Sequence, residues 1–494
     1  MSVVSAADWE AVIGLEVHAQ LKTRTKMFCS CETSFGDPPN THVCPVCLGL
    51  PGSLPVMNGT AFRLALKAAM ALNCRIAHFT KADRKNYYYP DLPKNYQISQ
   101  YDLPFATQGW LDIAPPDGAP RRIGITRVHI EEDAGKLVHD ESGAGGDSGV
   151  DLNRAGTPLI EIVSEPDLRS PAEARAYMEK LAQILLYLDV CDCNMQEGSL
   201  RCDANVSLRP RNQTAFNTRR EIKNMNSFRF VEQAIATELR EQRGIYETGG
   251  TIRQATRLFN GDTGEIRTMR TKEDAHDYRY FPEPDLPPIA LGEALIAEIR
   301  AELAELPEAR RTRYRKDLGL NEYDAGVMTE HKELGDYFER LVAAGIAPKS
   351  AANWIISDCQ GLLKSRGLAV ESCGISPDRM AGLLKLVEAG TINRATAKEK
   401  VLPAMLESPQ SADQIVRAQG LAQVSDESSI GATIDEVLAK SEKLVADYVG
   451  GKDATLNAIF GACMKAFQGK GNPKVIRPLL EEKLKALRNR NGNA

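Results

Sequence analysis

The chain has 494 residues, of which 43% are hydrophobic and 26% charged, and its formal net charge is −5. This composition predicts a globular protein of about two to four domains and excludes both wholesale disorder and a global positive field for nucleic acid. No apolar run reaches the roughly 18 residues of a membrane span, and the N-terminus does not resemble a signal peptide. We therefore expect a cytoplasmic protein without membrane contact, whose eleven cysteines bind metal or stay reduced.

The first predicted element is a strand over residues 10–21, in which apolar residues alternate with Gly14, Glu16, His18 and Gln20. A strand of this pattern has one face on a core and the other in polar surroundings. Glu16 and His18 then project to the same side, where a carboxylate and an imidazole suit a hard divalent cation. The alternative is an ordinary half-exposed strand.

Four cysteines follow in a loop rich in Pro and Gly. They form a CxC pair, Cys29 and Cys31, and a CxxC pair, Cys44 and Cys47. Two close pairs on one loop can wrap a single ion tetrahedrally, which predicts a structural zinc site with no open position for chemistry. The alternatives are free thiols or a disulfide. His42 lies inside the loop and is interpreted as a bystander.

Tyrosines and cations are interleaved in the segment from residue 83 to 104, where prolines interrupt regular structure. The segment contains Tyr87, Tyr88 and Tyr89 shortly after Lys85. Aromatic rings among cations suit stacking on unpaired bases and contact with phosphates. The alternative is a tyrosine-rich packing loop.

Two later strands carry carboxylates. Residues 123–132 form a predicted strand that ends in Glu131 and Glu132, and residues 159–165 place Glu161 on one strand face. Acidic clusters at strand ends are usually solvated, but carboxylates after a β-run can instead hold a divalent metal.

Polar faces recur in the next strands. Residues 200–208 alternate cleanly, with Arg201, Asp203 and Asn205 in phase, and Lys223 lies in a further short strand. Water-facing sheet surfaces are usually polar too. Acidic, basic, amide and imidazole groups on separate strands favour instead a sheet whose polar face forms one site.

Basic residues also follow these strands, and several familiar motifs are absent. Arg267, Arg270, Lys272 and Arg279 precede a Pro-rich run and could clamp phosphates or form a basic edge. The sequence has no GxxxxGK[ST] loop and no GxGxxG after a strand. It also lacks the local Ser or Cys nucleophile signature of a glutaminase.

Helical periodicity replaces the strands after the Pro-rich run at 281–289, which predicts a domain boundary. We predict a helical linker domain over 293–405 and a helical tail domain over 406–494, so that the fold class is α+β. The tail ends in basic helices that contain Lys465, Lys470, Lys474 and Arg477. Such a module suits contact with an RNA phosphate backbone, and the alternative is a solvated helix.

Seven segments together resemble the family formed by the B subunit of bacterial aspartyl/glutamyl-tRNA amidotransferases. They are IGLEVHAQL, DRKNYYYPDLPKNYQISQYD, RVHIEEDAGK, DLNRAGTPLIEIVSEPD, EGSLRCDANVSLRP, EIKNMNSF and DYRYFPEPDLPP. The resemblance spans essentially the whole chain. It implies a catalytic domain over 1–292, with the cysteine loop 29–47, similar in fold to glutamine synthetase: a curved antiparallel sheet with helices behind it.

The resemblance also implies an activity and partners. The family uses ATP to phosphorylate the side-chain carboxylate of Glu-tRNA(Gln) or Asp-tRNA(Asn), and ammonia then displaces the phosphate. An amidase partner frees that ammonia from glutamine, and a small third partner wraps the other two. The family's magnesium ligands map onto His18, Glu132 and Glu161, with Glu16 and Glu131 beside them. Because this chain keeps the four cysteines, zinc is expected as well.

The remaining site residues follow from the polar strand faces and from the aromatic and basic segments described above, and the ammonia inlet follows from the chemistry of the reaction. We expect ATP, phosphate or carboxylate groups to be bound by Lys85, Arg201, Asp203, Asn205 and Lys223. We expect tRNA contacts from the three consecutive tyrosines and the basic tail, and an ammonia inlet near Lys85, Glu131 and Glu132. Two alternatives remain: a metabolite ligase of the glutamine synthetase type, against which the basic tail argues, and a non-catalytic tRNA-binding protein.

Overall fold

The structure is a computed structural model that describes residues 9–116, 118–139, 148–271, 277–424, 426–467 and 470–492. The chain divides into two compact units, residues 1–307 and 308–494. The first unit contains a large sheet with helices and the second is helical, which confirms the predicted α+β class. Lys272, one of the predicted phosphate contacts, lies outside the described residues.

A nine-stranded sheet organises the first unit. The strands of the unit are β1 (Trp9–Gln20), β2 (Arg75–Ile76), β3 (Phe79–Thr80), β4 (Asp83–Asn86), β5 (Tyr96–Ser99), β6 (Ala106–Ile113), β7 (Arg121–Glu132), β8 (Lys136–His139), β9 (Ser148–Asp151), β10 (Pro158–Ser164), β11 (Leu200–Pro210), β12 (Arg220–Lys223), β13 (Ala255–Phe259), β14 (Ile266–Thr271), β15 (Phe281–Pro282) and β16 (Ile289–Ala290). The order in the large sheet is β14-β13-β12-β11-β1-β10-β7-β6-β2. Smaller sheets are formed by β15-β4-β5, by β16-β3 and by β8-β9.

The large sheet is mixed and not wholly antiparallel, which corrects one detail of the prediction. Strands β12 and β13 run parallel, whereas the other neighbours in the sheet are antiparallel. A helix over Phe228–Glu247 lies between β12 and β13 in the chain. It provides the long crossover that a parallel pair requires.

Helices cover the apolar face of the sheet. They are α1 (Gly59–Ala71), α2 (Pro171–Tyr187), α3 (Phe228–Glu247) and, after the last strand, α4 (Glu293–Ala301). In β1 the side chains of Ile13, Leu15, Val17 and Ala19 are fully buried in one apolar cluster with residues of α1, α2 and α3. The intervening residues of β1 are only half-buried, so the predicted alternation of an apolar and a polar face is confirmed.

Side-chain caps begin the first two helices where the sequence indicates. The side chain of Asn58 accepts hydrogen bonds from the backbone N–H groups of Thr60 and Ala61. Ser170 accepts one from Glu173 N at 3.1 Å and is followed by Pro171 at the first helical position. These caps satisfy N–H groups that have no partner within a helix.

The first unit extends past the predicted boundary at residue 292. Helix α4 packs on α1, where Arg63 Nη2 donates to Glu298 Oε1 at 2.8 Å. The predicted boundary therefore precedes a helix that belongs with the sheet.

The second unit consists of helices in the part of the chain that the structure describes. They are α5 (Pro307–Lys316), α6 (Glu322–Met328), α7 (Lys332–Ala343), α8 (Pro348–Asn353), α9 (Gln360–Lys364), α10 (Pro377–Glu388), α11 (Arg394–Thr396), α12 (Leu402–Glu407), α13 (Ala412–Ala418), α14 (Glu427–Lys440), α15 (Glu442–Val449), α16 (Thr455–Ala466) and α17 (Pro473–Gly492), with π-helical turns at Trp354–Cys359 and Ala397–Val401 and a 3₁₀ turn at Val370–Ser372. None of the described helices has the length and apolar character needed to cross a bilayer.

Two separate apolar clusters lie inside this helical unit. One includes buried residues from Tyr314 to Val416, and the other includes buried residues from Ile430 to Leu484. The predicted division between linker and tail after residue 405 stays a prediction. Ala412, beyond that point, still belongs to the first cluster.

Candidate active site

Three neighbouring strands bring histidines and glutamates together on the polar face of the sheet. In the register of β1 and β10, His18 lies opposite Glu161, and in that of β10 and β7, Glu161 lies opposite His129. Side chains directly opposite one another in an antiparallel pair have Cβ atoms about 5 Å apart. Glu16 and Glu131 stand two residues from these histidines on β1 and β7, and therefore on the same face.

The five side chains form two ligand groups that share one carboxylate. One group is Glu16, His18 and Glu161, and the other is His129, Glu131 and Glu161; in each, the ligand atoms lie within 4.8 Å of one another. Glu161 Oε2 is 3.4 Å from His18 Nε2 and 3.6 Å from His129 Nε2. Oxygen donors with imidazole suit magnesium or manganese. Glu161 is so placed that it could contribute to both groups.

Cations balance these carboxylates. Burial favours the neutral acid, but His129 and His18 outweigh it and lower the pKa of Glu161 to about 2. Burial likewise opposes ionisation of Glu131, yet Lys85 and His129 hold its pKa well below the ordinary value. In Glu16, burial and repulsion from Glu161 raise the pKa instead. The site thus keeps Glu131 and Glu161 as anions, ready to bind a cation.

His18 responds to the same carboxylates. Burial by itself would lower the pKa of this imidazole, but the hydrogen bond to Glu161 and the charges of Glu161 and Glu16 raise it overall. Since a metal ligand must be the neutral imidazole, a bound cation would have to displace this proton.

Glu132 does not join the cluster, which differs from the predicted set His18, Glu132 and Glu161. Successive strand residues point to opposite faces, so Glu131 takes the place predicted for Glu132. Glu132 Oε1 instead accepts a hydrogen bond from Ile98 N at 3.0 Å and pairs with Lys94.

A central cavity of about 620 Å³ contains the cluster. Its walls include Lys85, Arg201, Asp203 and Lys223 but not Asn205, so four of the five residues that are predicted to bind ATP, phosphate or carboxylate lie here. Lys85 Nζ lies 3.6 Å from Glu131 Oε1. Arg201 is held by Asp133, with N–O distances of 3.0 and 3.1 Å, and Lys223 pairs with Asp203.

Three smaller cavities differ in their walls, and two of them, the amide and the tyrosine cavity, share wall residues with the central cavity. The amide cavity of about 600 Å³ is lined by Gly14, Glu16, Arg127, Ser164, Asn205, Ser207, Asn217 and Gln254 among others. The tyrosine cavity of about 230 Å³ is lined by Lys85, Tyr87, Tyr89, Lys223, Met269, Arg270 and Tyr278. The cysteine-side cavity of about 250 Å³ includes Phe28, Cys29, Cys47, Leu50, Lys94, Tyr96 and Glu132.

The three consecutive tyrosines have different surroundings. Tyr87 lines both the central and the tyrosine cavity, and its hydroxyl donates to Gln97 Oε1 at 3.1 Å. Tyr89 lines the tyrosine cavity only. Tyr88 is 71% exposed and lines none of the cavities described above. The structure thus brings two of the three predicted tyrosines to the site.

The four cysteines of the loop lie together, as predicted. Their Sγ atoms are within 4.8 Å of one another, and those of Cys44 and Cys47 are 3.8 Å apart. A tetrahedral site with Zn–S bonds of about 2.3 Å has S–S edges of about 3.8 Å. The donors therefore fit zinc. His42 is not part of the group and pairs with Asp37 at 2.9 Å.

A buried lysine stabilises this loop. Lys26 is fully buried, and its Nζ donates to the carbonyl oxygens of His42 at 2.6 Å and Leu152 at 3.3 Å. It also lies 3.7 Å from Cys47 Sγ. A hydrogen bond from Cys29, together with the Lys26 charge, lowers the pKa of Cys47 to about 4. A thiolate, the form that binds metal, is therefore favoured at this position.

The predicted basic residues of the tail are on the surface of the helical unit. Lys465, Lys470, Lys474 and Arg477 are all exposed. Arg477 Nε interacts with Glu481 Oε1 at 3.3 Å, one turn away on α17. An exposed pair of this kind is weak, so it leaves Arg477 available for an anionic ligand.

Several cavity residues were not predicted from the sequence. His129 and Arg127 precede Glu131 at spacing two, so strand alternation was a signal that could have identified them. Gln97 is buried, and its Nε2 donates to Glu131 Oε2 at 2.9 Å. Nothing local in the sequence indicates this contact or the position of Tyr278, because both depend on segments that meet only in the folded chain.

Known proteins resemble the chain over almost its full length. Residues 11–297 match the family described as GatB/GatE catalytic domain, and residues 336–484 match the GatB domain. A protein of Moorella thermoacetica is 57% identical over 477 residues, which cover 97% of this chain and 100% of the relative. Proteins of Geobacter sulfurreducens and Carboxydothermus hydrogenoformans are 53% and 51% identical at the same coverage. Each of the three is named as the B subunit of an aspartyl/glutamyl-tRNA(Asn/Gln) amidotransferase.

Proposed function

The chain belongs to the GatB family, the B subunit of aspartyl/glutamyl-tRNA(Asn/Gln) amidotransferase, and from this premise we propose how its cavity works. It is one component of a glutamine-dependent carbon–nitrogen ligase that serves protein synthesis. In the proposed reaction, the central cavity uses ATP to activate the side-chain carboxylate of Glu-tRNA(Gln) or Asp-tRNA(Asn). The observation that carries the proposal is the convergence of Glu161, two histidines and two further glutamates in one cavity with Lys85 and Arg127.

Activation is needed because a carboxylate has no leaving group that ammonia can displace. In the first step a carboxylate oxygen attacks the γ-phosphorus of ATP, the bond from that phosphorus to the bridging oxygen breaks, and ADP leaves with the electron pair. In the second step the ammonia nitrogen attacks the acyl carbon. The carbon–oxygen bond to phosphate then breaks, inorganic phosphate leaves, and a base takes one proton from nitrogen.

The first step forces two anions together, and the residues of the cavity would counter this repulsion. We propose that Glu16, His18, Glu131, His129 and Glu161 hold magnesium. When bound, that ion would supply positive charge that offsets the repulsion of the two anions. Lys85 and Arg127 add fixed cations at the same wall, near Glu131 and Glu161. Arg201, Asp203 and Lys223 are proposed to orient the phosphate or the carboxylate, and Asn205 to contact the nucleotide from the amide cavity.

Ammonia must reach this cavity from a partner, because the sequence carries no glutaminase signature. We propose that it enters through the cysteine-side cavity. Glu132, in the wall of this cavity, follows Glu131 on β7 and points to the opposite face of the strand. Gln97 Nε2 connects the two residues, because it donates to Glu131 Oε2 and, at 2.7 Å, to the backbone oxygen of Glu132. The proposed ammonia route therefore begins in the cysteine-side cavity, passes the Lys94–Glu132 pair and reaches the predicted inlet near Lys85, Glu131 and Glu132.

An exposed apolar rim supports docking of the amidase partner at this entrance. Leu50, in the cavity wall, is 49% exposed, and the neighbouring Leu54 and Val56 are 63% and 74% exposed. Exposed apolar side chains within a few residues of one another favour a protein interface at this segment. An amidase seated on them would deliver ammonia without its passing through water. The small third partner is proposed to wrap this pair.

Substitutions along this ammonia route should affect amidation with glutamine more than amidation with added ammonium salt. Lys94→Met or Glu132→Gln is expected to lower glutamine-dependent amidation on the order of tenfold, while amidation with added ammonium salt stays close to wild type. The physical reason is that neither side chain lies in the metal-binding cluster, whereas both line the proposed inlet. The ratio of the two rates is the measurement. Parallel loss of both activities would contradict an inlet at Lys94 and Glu132.

We propose that the tail contributes to tRNA affinity through Lys465, Lys470, Lys474 and Arg477. Replacing all four by Gln should raise KM for Glu-tRNA about 10- to 100-fold and flatten its salt dependence, with kcat nearly unchanged, because phosphate contacts dominate such affinity. The matched control replaces Lys316, Lys349, Lys364 and Lys385, which are equally exposed on other helices of the unit. Equal effects of the two quadruple variants would reject the tail as the recognition module.

The function itself is tested with the chain assembled with its partner proteins. Glu-tRNA, ATP, magnesium and an ammonium salt should give Gln-tRNA, and omission of ATP should abolish the product. Amidation of free glutamate without RNA would indicate a metabolite ligase instead. Binding of tRNA without any conversion would indicate a non-catalytic component.

A further inference from the structure

The central cavity has two side openings with different chemistry. The amide cavity shares Glu16 and Arg127 with the central cavity. The tyrosine cavity shares a different set with it, namely Lys85, Tyr87, Lys223, Arg270 and Tyr278. The two side cavities have no described wall residue in common. Both therefore lead to the cluster of glutamates and histidines, but from separate walls.

Phosphoryl transfer needs two such approaches. The attacking and leaving oxygens lie roughly in line through the phosphorus. The carboxylate must thus reach the γ-phosphate from one side, and ADP must leave on the other. If the proposed function holds, one opening receives ATP and the other receives the aminoacyl end of the RNA.

The tyrosine cavity has aromatic walls. Tyr87 packs edge-on against Tyr278, with ring centroids 5.7 Å apart, and against Tyr89 at 6.5 Å. Tyr89 is 39% exposed and Met269 is 52% exposed. Rings with accessible faces next to an open cavity suit stacking of a base, which accepts any base because each has a π-face.

The charge of this cavity suits a phosphodiester. Lys85, Lys223 and Arg270 line it, and no carboxylate does so among its described wall residues; the carboxylates that pair with Lys85 and Lys223, Glu131 and Asp203, line the central cavity instead. Lys85 Nζ also lies 5.2 Å from the centroid of the Tyr278 ring. A base stacked on the tyrosines would therefore carry its phosphate next to fixed positive charges.

The backbone holds Tyr278 beside the catalytic region. Asn86 N donates to Tyr278 O at 2.9 Å, and Asn86 Nδ2 donates to Arg279 O at 2.7 Å. From the same strand region, Tyr87 connects through Gln97 to Glu131. Since Tyr87 lines the tyrosine cavity, a nucleoside there would lie next to the hydrogen-bonded series Tyr87–Gln97–Glu131, which leads to the metal-binding groups.

We propose that the tyrosine cavity binds the 3′-terminal adenosine of the aminoacylated tRNA, with its base stacked on Tyr278 and Tyr89 and its phosphate facing Arg270 and Lys223. The amino acid is esterified to that ribose, so this position directs the side-chain carboxylate to the central cavity. An adenine base is common to this adenosine and to ATP. The amide cavity, with Asn205, Ser207 and Gln254, offers the hydrogen-bonding groups that suit ATP.

The test uses the assembled complex and a tRNA whose terminal adenine is replaced by 2-aminopurine, without ATP or magnesium. Stacking on tyrosine should quench its fluorescence on binding. Tyr278→Leu should abolish the quench and weaken tRNA binding roughly 5- to 100-fold, whereas Tyr278→Phe should preserve both. Phe79→Leu, an exposed aromatic residue outside these cavities, is the matched control and should bind as wild type.

A second arm identifies the source of the adenine. Binding of ATP, measured by equilibrium dialysis with magnesium, should be unchanged in Tyr278→Leu. Loss of ATP binding with an intact quench would overturn the assignment, as would a wild-type complex that binds tRNA without quenching. Because the fluorescence arm requires no chemistry, a complex that quenches but forms no Gln-tRNA would refute the proposed function alone.

Discussion

Replacing Glu161 by Gln is expected to lower the rate of ATP-dependent amidation about a thousandfold, even with saturating ammonium salt. Glu161 is the carboxylate common to both ligand groups, and it is buried between His18 and His129. Gln has nearly the same shape but only one side-chain oxygen and no negative charge, so both ligand groups would lose an anionic ligand. The measurement is single-turnover formation of Gln-tRNA, with tRNA affinity determined in parallel and expected to be near normal.

The control is Glu165→Gln, the same change just beyond the end of β10. Glu165 is exposed and accepts a hydrogen bond from Thr126 Oγ1 at 2.7 Å, which a Gln oxygen can also accept. The amidation rate of the Glu165→Gln variant should match that of the wild type. Glu131→Gln should behave like Glu161→Gln. A rate near wild type for Glu161→Gln would reject the assignment of the metal-binding cluster.

Replacing Cys44 by Ser is expected to release zinc and to destabilise the first unit by on the order of 4 kcal/mol, or about 10 °C in Tm. One thiolate of the four would be lost. The remaining three would stay buried or half-buried without their ion, with Cys47 next to Lys26. Metal analysis of the purified chain should give about one zinc per wild-type molecule and little in the variant. Thermal unfolding gives the stability.

Cys74→Ser provides the comparison, because it makes the same atomic change outside the cluster. Cys74 is half-buried at the edge of the apolar core. We expect a loss of about 1 kcal/mol and full zinc content. A wild-type chain purified without zinc, and with unchanged stability in Cys44→Ser, would contradict a structural zinc site.

The strands of the site could be predicted from the sequence because alternation is a local property. Glu16, His18 and Gln20 alternate with apolar residues in β1, as Arg201, Asp203 and Asn205 do in β11, and the structure confirms that the residues of each set share one face. The Cys29–Cys47 loop was recognisable for a similar reason, since its ligand spacing is local. Here the periodicity of the backbone determines which side chains point together.

The choice between Glu131 and Glu132 was also available from periodicity, but the prediction placed Glu132 in the metal set. His129 lies two residues before Glu131 and four after Ile125, whose side chain is buried. A β-bulge between Ile125 and Arg127 of β7, opposite Val163 and Ser164 of β10, interrupts the alternation. The face of Glu131 must therefore be counted from Arg127 onward, and not from the first residues of β7. The pairing with β10 decided which glutamate meets Glu161.

By itself, the amino-acid sequence determined the α+β class, the alternating strands, the cysteine loop and the segments that identify the family. Each of these depends on neighbours within a few residues. Only the tertiary structure decided that Gln97 connects Tyr87 with Glu131, that Tyr278 reaches the cavity beside β4, and that Lys94 faces Glu132. These contacts join residues far apart in the chain, and their positions follow from strand order and side-chain packing, which no local pattern encodes.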